Sequence, residues 1–155
     1  MKKIKLITDG ACKGNPGRGG WGVLLRYGKH SKEIWGYEPH TTNNRMELTA
    51  AVRGLEALNE KCDVEIVTDS EYVKNGITKW INGWKRNGWI TSTKQPVLNK
   101  DLWEALDRQV ARHKVVWTWT KGHAGHADND HVDGLASKAA KDQSAGSRSV
   151  VADGS

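Results

Sequence analysis

The sequence is poor in cysteine and contains no phenylalanine, no long apolar run and no apolar signal core. Its two cysteines, Cys12 and Cys62, are too few for a disulfide framework or a cysteine-rich zinc site, so we expect free thiols in a reducing cytoplasm. Without an apolar run of about 20 residues, the chain is not expected to span a membrane. The basic N-terminus lacks the apolar centre of a signal peptide, which predicts that the protein is not secreted.

Tryptophan supplies most of the aromatic side chains, with eight tryptophans against three tyrosines in 155 residues. The length suits one domain with a single hydrophobic core. The hydrophobic share of 37% is low, but it is compatible with a folded domain because each large indole ring buries much surface.

Acidic residues are absent from one long segment. Residues 72–100, called the basic segment below, contain no Asp or Glu but six basic side chains: Lys74, Lys79, Lys85, Arg86, Lys94 and Lys100. Because the chain has 24 basic and 18 acidic residues, these six account for its net charge of +6. Such a patch indicates a polyanionic partner, most often nucleic acid, although a basic helix face that serves solubility would look the same.

Three tryptophans, Trp80, Trp84 and Trp89, are interleaved with the lysines of the basic segment. They can be core residues of a kinked helix. Alternatively, they can pack on sugars or bases while Lys and Arg side chains contact phosphates. The sequence is compatible with both.

Hydrophobic periodicity predicts an α/β (α+β) fold with one mixed sheet. Strands are expected at residues 3–9, 21–27, 32–37, 64–68 and 114–120. Four helices are expected: residues 44–59, residues 71–86, a helix that Asn99 caps, and residues 128–141. Gly76 and Gly83 should kink or break the second helix. The resulting five-stranded sheet begins with an antiparallel meander and is flanked by helices.

Glycine and small polar residues mark the irregular parts of the chain. Residues 10–20 are predicted to form a glycine-rich turn, and the missing Gly-Lys-Ser/Thr ending excludes a phosphate-binding P-loop. Beyond residue 142 the composition turns to Ser, Gly and Ala. We therefore expect one domain over residues 1–142 and a disordered tail over residues 143–155.

Four acidic residues stand where a predicted strand or helix begins or ends: Asp9, Glu47, Asp69 and Asp133. Each has an ordinary structural explanation. Asp9 can start a turn, and Asp69 can cap a helix. Glu47 can close a capping box with Asn44, and Asp133 can face solvent.

Taken together, these four positions face the carboxyl ends of the two central strands in the predicted topology, where ligands of open α/β sheets bind. Mg²⁺ prefers oxygen ligands, and two such ions ~4 Å apart suit phosphodiester hydrolysis. Clustered carboxylates repel one another without metal, so they are not expected to serve stability. The cluster therefore predicts a site for two Mg²⁺ ions, with Mn²⁺ as an alternative.

Two histidines, His123 and His126, lie in a glycine-rich loop before the last helix. As zinc ligands they lack further cysteine or histidine partners in suitable register. A histidine on a mobile loop beside a metal site suits proton transfer, which favours His123, whereas His126 suits a structural role.

Four segments together resemble bacterial ribonuclease H of type 1. They are Thr8-Asp9-Gly10 with Gly14-Asn15-Pro16-Gly17, residues 41–48 (TTNNRMEL), residues 68–73 (TDSEYV) and residues 121–126 (KGHAGH). The resemblance extends over residues 2–141, with the motifs in the family's order. It implies the ribonuclease H-like fold and two-metal-ion hydrolysis of the RNA strand of an RNA–DNA hybrid, which leaves 5′-phosphate and 3′-hydroxyl ends.

The resemblance also implies a role for each residue of the site. Asp9 would bridge the two Mg²⁺ ions, and Asp133 would help to hold the ion that activates water. Glu47 and Asp69 would hold the ion on the side of the leaving group. His123 would assist proton transfer or product release.

Substrate contacts are implied in the same way. The positions that match readers of the minor groove, where RNA 2′-hydroxyls lie, are Asn15, Asn43, Asn44 and Glu71. Thr42 matches part of a pocket for a DNA phosphate. The basic segment matches the family's basic protrusion, which grips the DNA strand, here with Trp80, Trp84, Lys85 and Arg86.

Two other functions fit the sequence less well. Resolvases and integrase cores of the same fold superfamily lack this Asn-rich loop and basic protrusion. A non-catalytic module that binds RNA–DNA hybrids or duplex RNA would keep the basic segment without needing all four carboxylates. No oligomerisation seam or obligate protein partner is evident in the sequence, so we expect a monomer.

Overall fold

The structure is a computed structural model that describes residues 1–121 and 127–151. Within these residues the chain forms a six-stranded mixed sheet in the order β5-β4-β1-β2-β3-β6. The strands are β1 (Lys3–Lys13), β2 (Gly17–Tyr27), β3 (His30–Thr41), β4 (Asp63–Thr68), β5 (Lys114–Trp119) and β6 (Gly146–Val151). The α-helices are α1 (Asn43–Glu56), α2 (Glu71–Asn75), α3 (Ile81–Arg86), α4 (Lys100–Arg112) and α5 (Ala127–Asp142).

The predicted mixed sheet and its antiparallel meander are confirmed. β1, β2 and β3 pair antiparallel, whereas β4 pairs parallel with both β1 and β5. Neighbouring side chains on a strand point to opposite faces, so Leu6 joins the larger core under α1 while Ile7 joins a smaller core with Val132 of α5. The two faces of the sheet are thus covered by different helices.

The predicted glycine-rich turn over residues 10–20 is wrong in extent, because both strands continue into it. β1 ends at Lys13 and β2 begins at Gly17, so only residues 14–16 connect them. The glycines inside the strands serve close packing instead. A Cβ on Gly19 would overlap the side chain of Thr41, and a Cβ on Gly20 would overlap the backbone of α5.

The predicted kink in the helix over residues 71–86 is confirmed. A π-helical turn, Gly76–Trp80, separates α2 from α3. Gly76 is buried against the indole ring of Trp103, which is fully buried, and a Cβ at this position would overlap that ring. The helix is therefore irregular where the missing side chain of Gly76 allows close contact with Trp103.

The predicted disordered tail is wrong for residues 146–151. They form β6, which pairs antiparallel with β3 from Trp35↔Gly146 to His30↔Val151 and adds a sixth strand to the predicted five. The edge of β3 supplies the backbone partners that the sequence of the tail does not reveal, and Gly146 fits against the ring of Trp35. Residues 152–155 lie outside the described residues.

The start of α4 differs in one detail from the prediction. Asn99 occupies the N-cap position of α4, as predicted, but in a left-handed conformation with φ 60°, and its side chain makes no capping hydrogen bond. Its amide instead accepts a hydrogen bond from Arg45 and donates one to the hydroxyl of Tyr72.

Among residues 1–121 and 127–151, no helix is long and apolar enough to cross a membrane.

Candidate active site

Asp9 and Asp69 lie next to each other at one end of the parallel pair β1–β4. The pairing of these strands ends at Ile7↔Val67, so Asp9 lies just beyond it although β1 itself continues. Asp69 follows the last residue of β4. Parallel strands end at the same edge of a sheet, which brings the two carboxylates together as the sequence predicted.

Glu47 reaches the same place from α1. The backbone N–H of Gly10 donates hydrogen bonds to Oε1 of Glu47 at 2.6 Å and to Oδ1 of Asp9 at 2.9 Å. Helix α1 approaches so closely that a Cβ on Gly10 would lie 2.5 Å from the backbone nitrogen of Glu47. Only glycine leaves room for this contact, which places a helix carboxylate beside a strand carboxylate.

The capping explanations for Glu47 and Asp69 are wrong. Helix α1 is capped by Thr42, whose hydroxyl accepts a hydrogen bond from the N–H of Arg45 at 3.2 Å. Helix α2 is capped by Ser70, whose hydroxyl accepts from Val73 at 3.1 Å. Both carboxylates are therefore free of a capping function and available for a ligand.

The carboxylates meet in one cleft of about 320 Å³. Asp9, Glu47 and Asp69 each place one oxygen within 4.8 Å of the others. Asp133 of α5 lines the same cleft, because α5 packs closely on Gly20 and Gly22 of β2. The remaining lining residues are Gly10, Asn43, Asn44, Ser70, Glu71 and Tyr72.

The electrostatics of the cleft are those of crowded anions. Burial raises the pKa of Asp9 to about 6, and the negative charges of Asp69 and Asp133 add to this effect. Burial also raises the pKa of Glu47 well above its usual value, with Asp9 beside it as the next cause. A bound cation would relieve this repulsion, since it favours the charged form of every carboxylate.

The donor set fits a hard divalent cation. Oε2 of Glu47 is buried and has no hydrogen-bond partner in the part of the chain that the structure describes. A buried carboxylate oxygen without a partner is costly, so its position implies a ligand. All donors of the cluster are carboxylate oxygens, which suit Mg²⁺, Mn²⁺ or Ca²⁺ better than a softer ion.

The other predicted site residues, apart from those of the basic segment, divide into four groups. Asn43, Asn44 and Glu71 line the cleft. Asn15 lies beside it, and its side-chain carbonyl accepts a hydrogen bond from the N–H of Asn43 at 3.1 Å. Thr42 uses its hydroxyl for the α1 cap. His123 and His126 fall outside the described residues.

The basic segment presents a mixed surface. Trp84 packs on Trp103, with ring centroids 5.4 Å apart, so it is a partly buried residue at the edge of the core, as one of the two interpretations predicted. Trp80 remains 37% exposed beside it. Lys85 and Arg86 lie on the outer side of α3, and Lys85 forms an ion pair with Asp107 at 3.2 Å. The segment can therefore offer an indole face and two cations to a ligand.

Sequence reasoning missed Tyr72, which lines the cleft next to Glu71. Its hydroxyl accepts hydrogen bonds from Asn99 Nδ2 and Trp103 Nε1, both at 3.0 Å. Asn99 Oδ1 in turn accepts from Arg45 of α1 at 3.1 Å. In the sequence, the only signal for Tyr72 was its position directly after Glu71. The partners of its hydroxyl lie far away in the chain and could not be predicted from local sequence.

Comparison with known proteins identifies the family. The family model described as RNase H matches residues 1–141. The chain is 66% identical over 144 residues to the ribonuclease H of Solibacter usitatus (strain Ellin6076), covering 93% of this chain and 99% of that protein. It is 64% identical over 137 residues to the ribonuclease HI of Neisseria meningitidis serogroup B, covering 88% and 94% respectively.

The chain belongs to the ribonuclease H family. The crystal structure of LC9-RNase H1, described as a type 1 RNase H with the type 2 active-site motif, superposes with a TM-score of 0.87 at 32% identity. That match covers 98% of this chain and 78% of the other. The chain is thus a bacterial-type ribonuclease H of type 1, an endonuclease that acts on RNA–DNA hybrids, and the resemblance seen in the sequence is confirmed.

Proposed function

We propose that this ribonuclease H hydrolyses the RNA strand of RNA–DNA hybrids with Mg²⁺ held by Asp9, Glu47, Asp69 and Asp133. The observation that carries the proposal is the set of three carboxylates whose oxygens lie within 4.8 Å of one another, one of them buried with an oxygen that has no partner among the described residues. Asp133, which lines the same cleft from α5, completes the set.

Bound Mg²⁺ would supply Lewis-acid chemistry, activating water and stabilising the leaving oxygen of the phosphodiester. The protein's own contribution is to hold the ligands in place. Asp9 lies beside Glu47, with which it shares the Gly10 N–H, and its oxygen is within 4.8 Å of those of Glu47 and Asp69, so it is proposed as the ligand that two ions would share. His123 is proposed to move a proton near this site.

The edge of the cleft is proposed to read the hybrid. Asn43, Asn44 and Glu71 line the cleft beside the carboxylates, with Asn15 bonded to the backbone of Asn43. Amide and carboxylate side chains pair well with hydroxyl groups, so they suit RNA 2′-hydroxyls in a minor groove. Thr42, at the start of α1, is proposed to contact a DNA phosphate near a helix N-terminus, where anions bind favourably.

The basic segment is proposed to hold the DNA strand. The cations Lys85 and Arg86 would contact phosphates, and the exposed part of Trp80, with Trp84 behind it, would pack on sugars or bases. A monomeric state, the absence of an obligate protein partner and a cytoplasmic location stay predictions from the sequence.

Cleavage of one labelled RNA strand tests the proposal directly. The strand is presented alone, in an RNA duplex and in an RNA–DNA hybrid, each with Mg²⁺, with Mn²⁺ and with EDTA. We expect cleavage of the hybrid only, with Mg²⁺ and not with EDTA, leaving 5′-phosphate ends. Binding of the hybrid without cleavage under any metal would instead support the non-catalytic alternative, and an Asp9→Asn variant serves as the control for contaminating nucleases.

A further inference from the structure

Glu33 is a nearly buried carboxylate near the start of β3 that the proposed chemistry does not use. Its side chain is 10% exposed. Oε1 is hydrogen-bonded to Nε2 of His131 at 2.7 Å, and Oε2 accepts from a guanidinium nitrogen of Arg148 at 2.9 Å. One carboxylate therefore joins three elements: β3, the helix α5 and the C-terminal strand β6.

The α5 side of this junction leads to the cleft. His131 precedes Asp133 by two residues on the same helix, a distance of about 3 Å along the helix axis. The helix itself packs so closely on β2 that a Cβ on Gly20 would overlap its backbone and a Cβ on Gly22 would make tight contacts with it. A contact that fixes the height and rotation of α5 at His131 therefore also fixes where Asp133 enters the cleft.

The β6 side of the junction is built from the tail of the chain. The guanidinium carbon of Arg148 lies 5.6 Å from the centre of the Trp35 ring, and a Cβ on Gly146 would lie 2.6 Å from the same ring. Gln143, at the end of α5, donates to the carbonyls of Gly19 and Ala140. Residues 143–151, called the brace below, are thus tied to the sheet and to α5, although the family model ends at residue 141.

We propose that Glu33 is a positioning residue for Asp133, acting through His131, and that the brace holds Glu33 in place through Arg148. If Arg148 is removed, a nearly buried carboxylate loses one of the two partners it has among the described residues and is expected to shift or draw in water. The shift is passed to His131 and then to α5. The inference rests on the proposed function, since it takes Asp133 as a metal ligand.

Magnesium binding tests the proposal without relying on cleavage. Mg²⁺ is titrated calorimetrically, without substrate, into the full-length wild-type chain and into Arg148→Ala, Arg148→Lys and Gly146→Val variants. The third variant disturbs the packing of the brace on Trp35 and leaves Glu33 and Arg148 unchanged. Lys2→Ala is the control, because it removes an exposed ion pair with Glu60 in which neither α5 nor the brace takes part.

We expect Arg148→Ala and Gly146→Val to weaken Mg²⁺ binding about three- to tenfold, less than the roughly 10- to 100-fold effect of removing a direct partner of a metal ligand. Arg148→Lys should recover part of the affinity, and Lys2→Ala should leave it unchanged. Hydrogen exchange of the α5 amides should accelerate in Arg148→Ala and in Gly146→Val. In cleavage assays the Mg²⁺ concentration for half-maximal rate should rise while KM for the hybrid stays constant.

Each alternative outcome has a distinct meaning. If the variants only lower the midpoint of thermal unfolding, and Mg²⁺ affinity measured well below that midpoint stays at the wild-type value, the brace merely stabilises the fold and the proposal fails. An Asp133→Asn variant separates this failure from a failure of the proposed function. Should Asp133→Asn bind Mg²⁺ like the wild type, the ligand role of Asp133 is wrong, and the coupling falls with it.

Discussion

The backbone N–H of Gly10 donates a 2.6 Å hydrogen bond to the carboxylate of Glu47, which lies 37 residues later in the chain. This hydrogen bond joins β1 to α1 at the point where the acidic cleft begins. It also orients Glu47 so that its second oxygen points into a buried position without a partner among the described residues. A single glycine thus sets the distance between the carboxylates of Asp9 and Glu47.

Replacing Gly10 with alanine should harm both stability and catalysis. The added Cβ would lie 2.5 Å from the backbone nitrogen of Glu47, so α1 must move away. Overpacking of this kind costs about 1–3 kcal/mol of unfolding free energy. Chemical denaturation and a cleavage assay measure the two effects, with Gly83→Ala, where a Cβ meets nothing within 4 Å, as the control. Normal activity of Gly10→Ala would contradict the spacing argument.

Asp9→Asn should abolish cleavage while leaving the metal-free fold at least as stable as the wild type. The pKa of Asp9 is raised to about 6, so the charged form is disfavoured in the metal-free cleft, and removing the charge relieves repulsion. Thermal unfolding in EDTA and with Mg²⁺ checks this. The wild type should gain more stability from Mg²⁺ than the variant, because ligand binding stabilises the folded state. Retained cleavage would refute the metal assignment.

Neutralising Lys85 and Arg86 together should raise KM for the hybrid and flatten its dependence on salt. Each cation that neutralises a phosphate contributes about 0.9 to the slope of log affinity against log salt concentration, so the slope of the double variant should be smaller by up to about 2. The measurement is KM at several salt concentrations, with Lys61→Ala as a control outside the basic segment. An unchanged slope would exclude these two side chains from binding the DNA strand.

Acidification below pH 7 should destabilise the fold through His113. This residue is buried, and its Nδ1 accepts a hydrogen bond from the N–H of Cys62 at 3.1 Å, which requires the neutral ring. Burial, with the nearby charge of Arg112, lowers its pKa below the usual 6.5. The unfolded chain then binds a proton first, so this contribution to stability is present above pH 6.5 and is lost as pH falls toward the lower folded pKa.

A comparison with His113→Gln isolates that contribution. The raised pKa values of Asp9 and Glu47 act in the opposite direction, since acid relieves their repulsion. Urea unfolding of both proteins is measured in EDTA at about pH 7.5 and at lower pH. The contribution of Asp9 and Glu47 is the same in both proteins and cancels when they are compared. The wild type should lose more unfolding free energy on acidification than the variant. Parallel pH profiles would show that His113 does not titrate in this range.

Local sequence patterns predicted the elements that the core requires. The apolar strands before Asp9 and Asp69, the amphipathic helix with Leu48 and Leu55, and the kink at Gly76 are all present. These predictions succeed because side-chain periodicity and glycine content act over a few residues. The cluster of Asp9, Glu47 and Asp69 was also predictable, since topology rules place strand ends and helix starts at one edge of the sheet.

The wrong predictions concern residues whose structure depends on distant partners. Asn99 takes the predicted cap position, yet its amide bonds Tyr72 and Arg45 instead of capping α4. The glycines at positions 19 and 20 looked like turn residues, yet they lie in β2 because Thr41 and α5 need the space. The tail had a disordered composition, yet the open edge of β3 and the carboxylate of Glu33 order it as β6.

The sequence by itself determined the family, the mixed sheet and the carboxylates that meet at its edge, because motif identity and hydrophobic periodicity are written into short stretches of chain. Only the tertiary structure decided how Gly10 sets Glu47, which tryptophan surfaces stay exposed and that the last strand reaches Glu33. Those features depend on backbone approach and on partners far apart in the chain, which arise only when the elements pack.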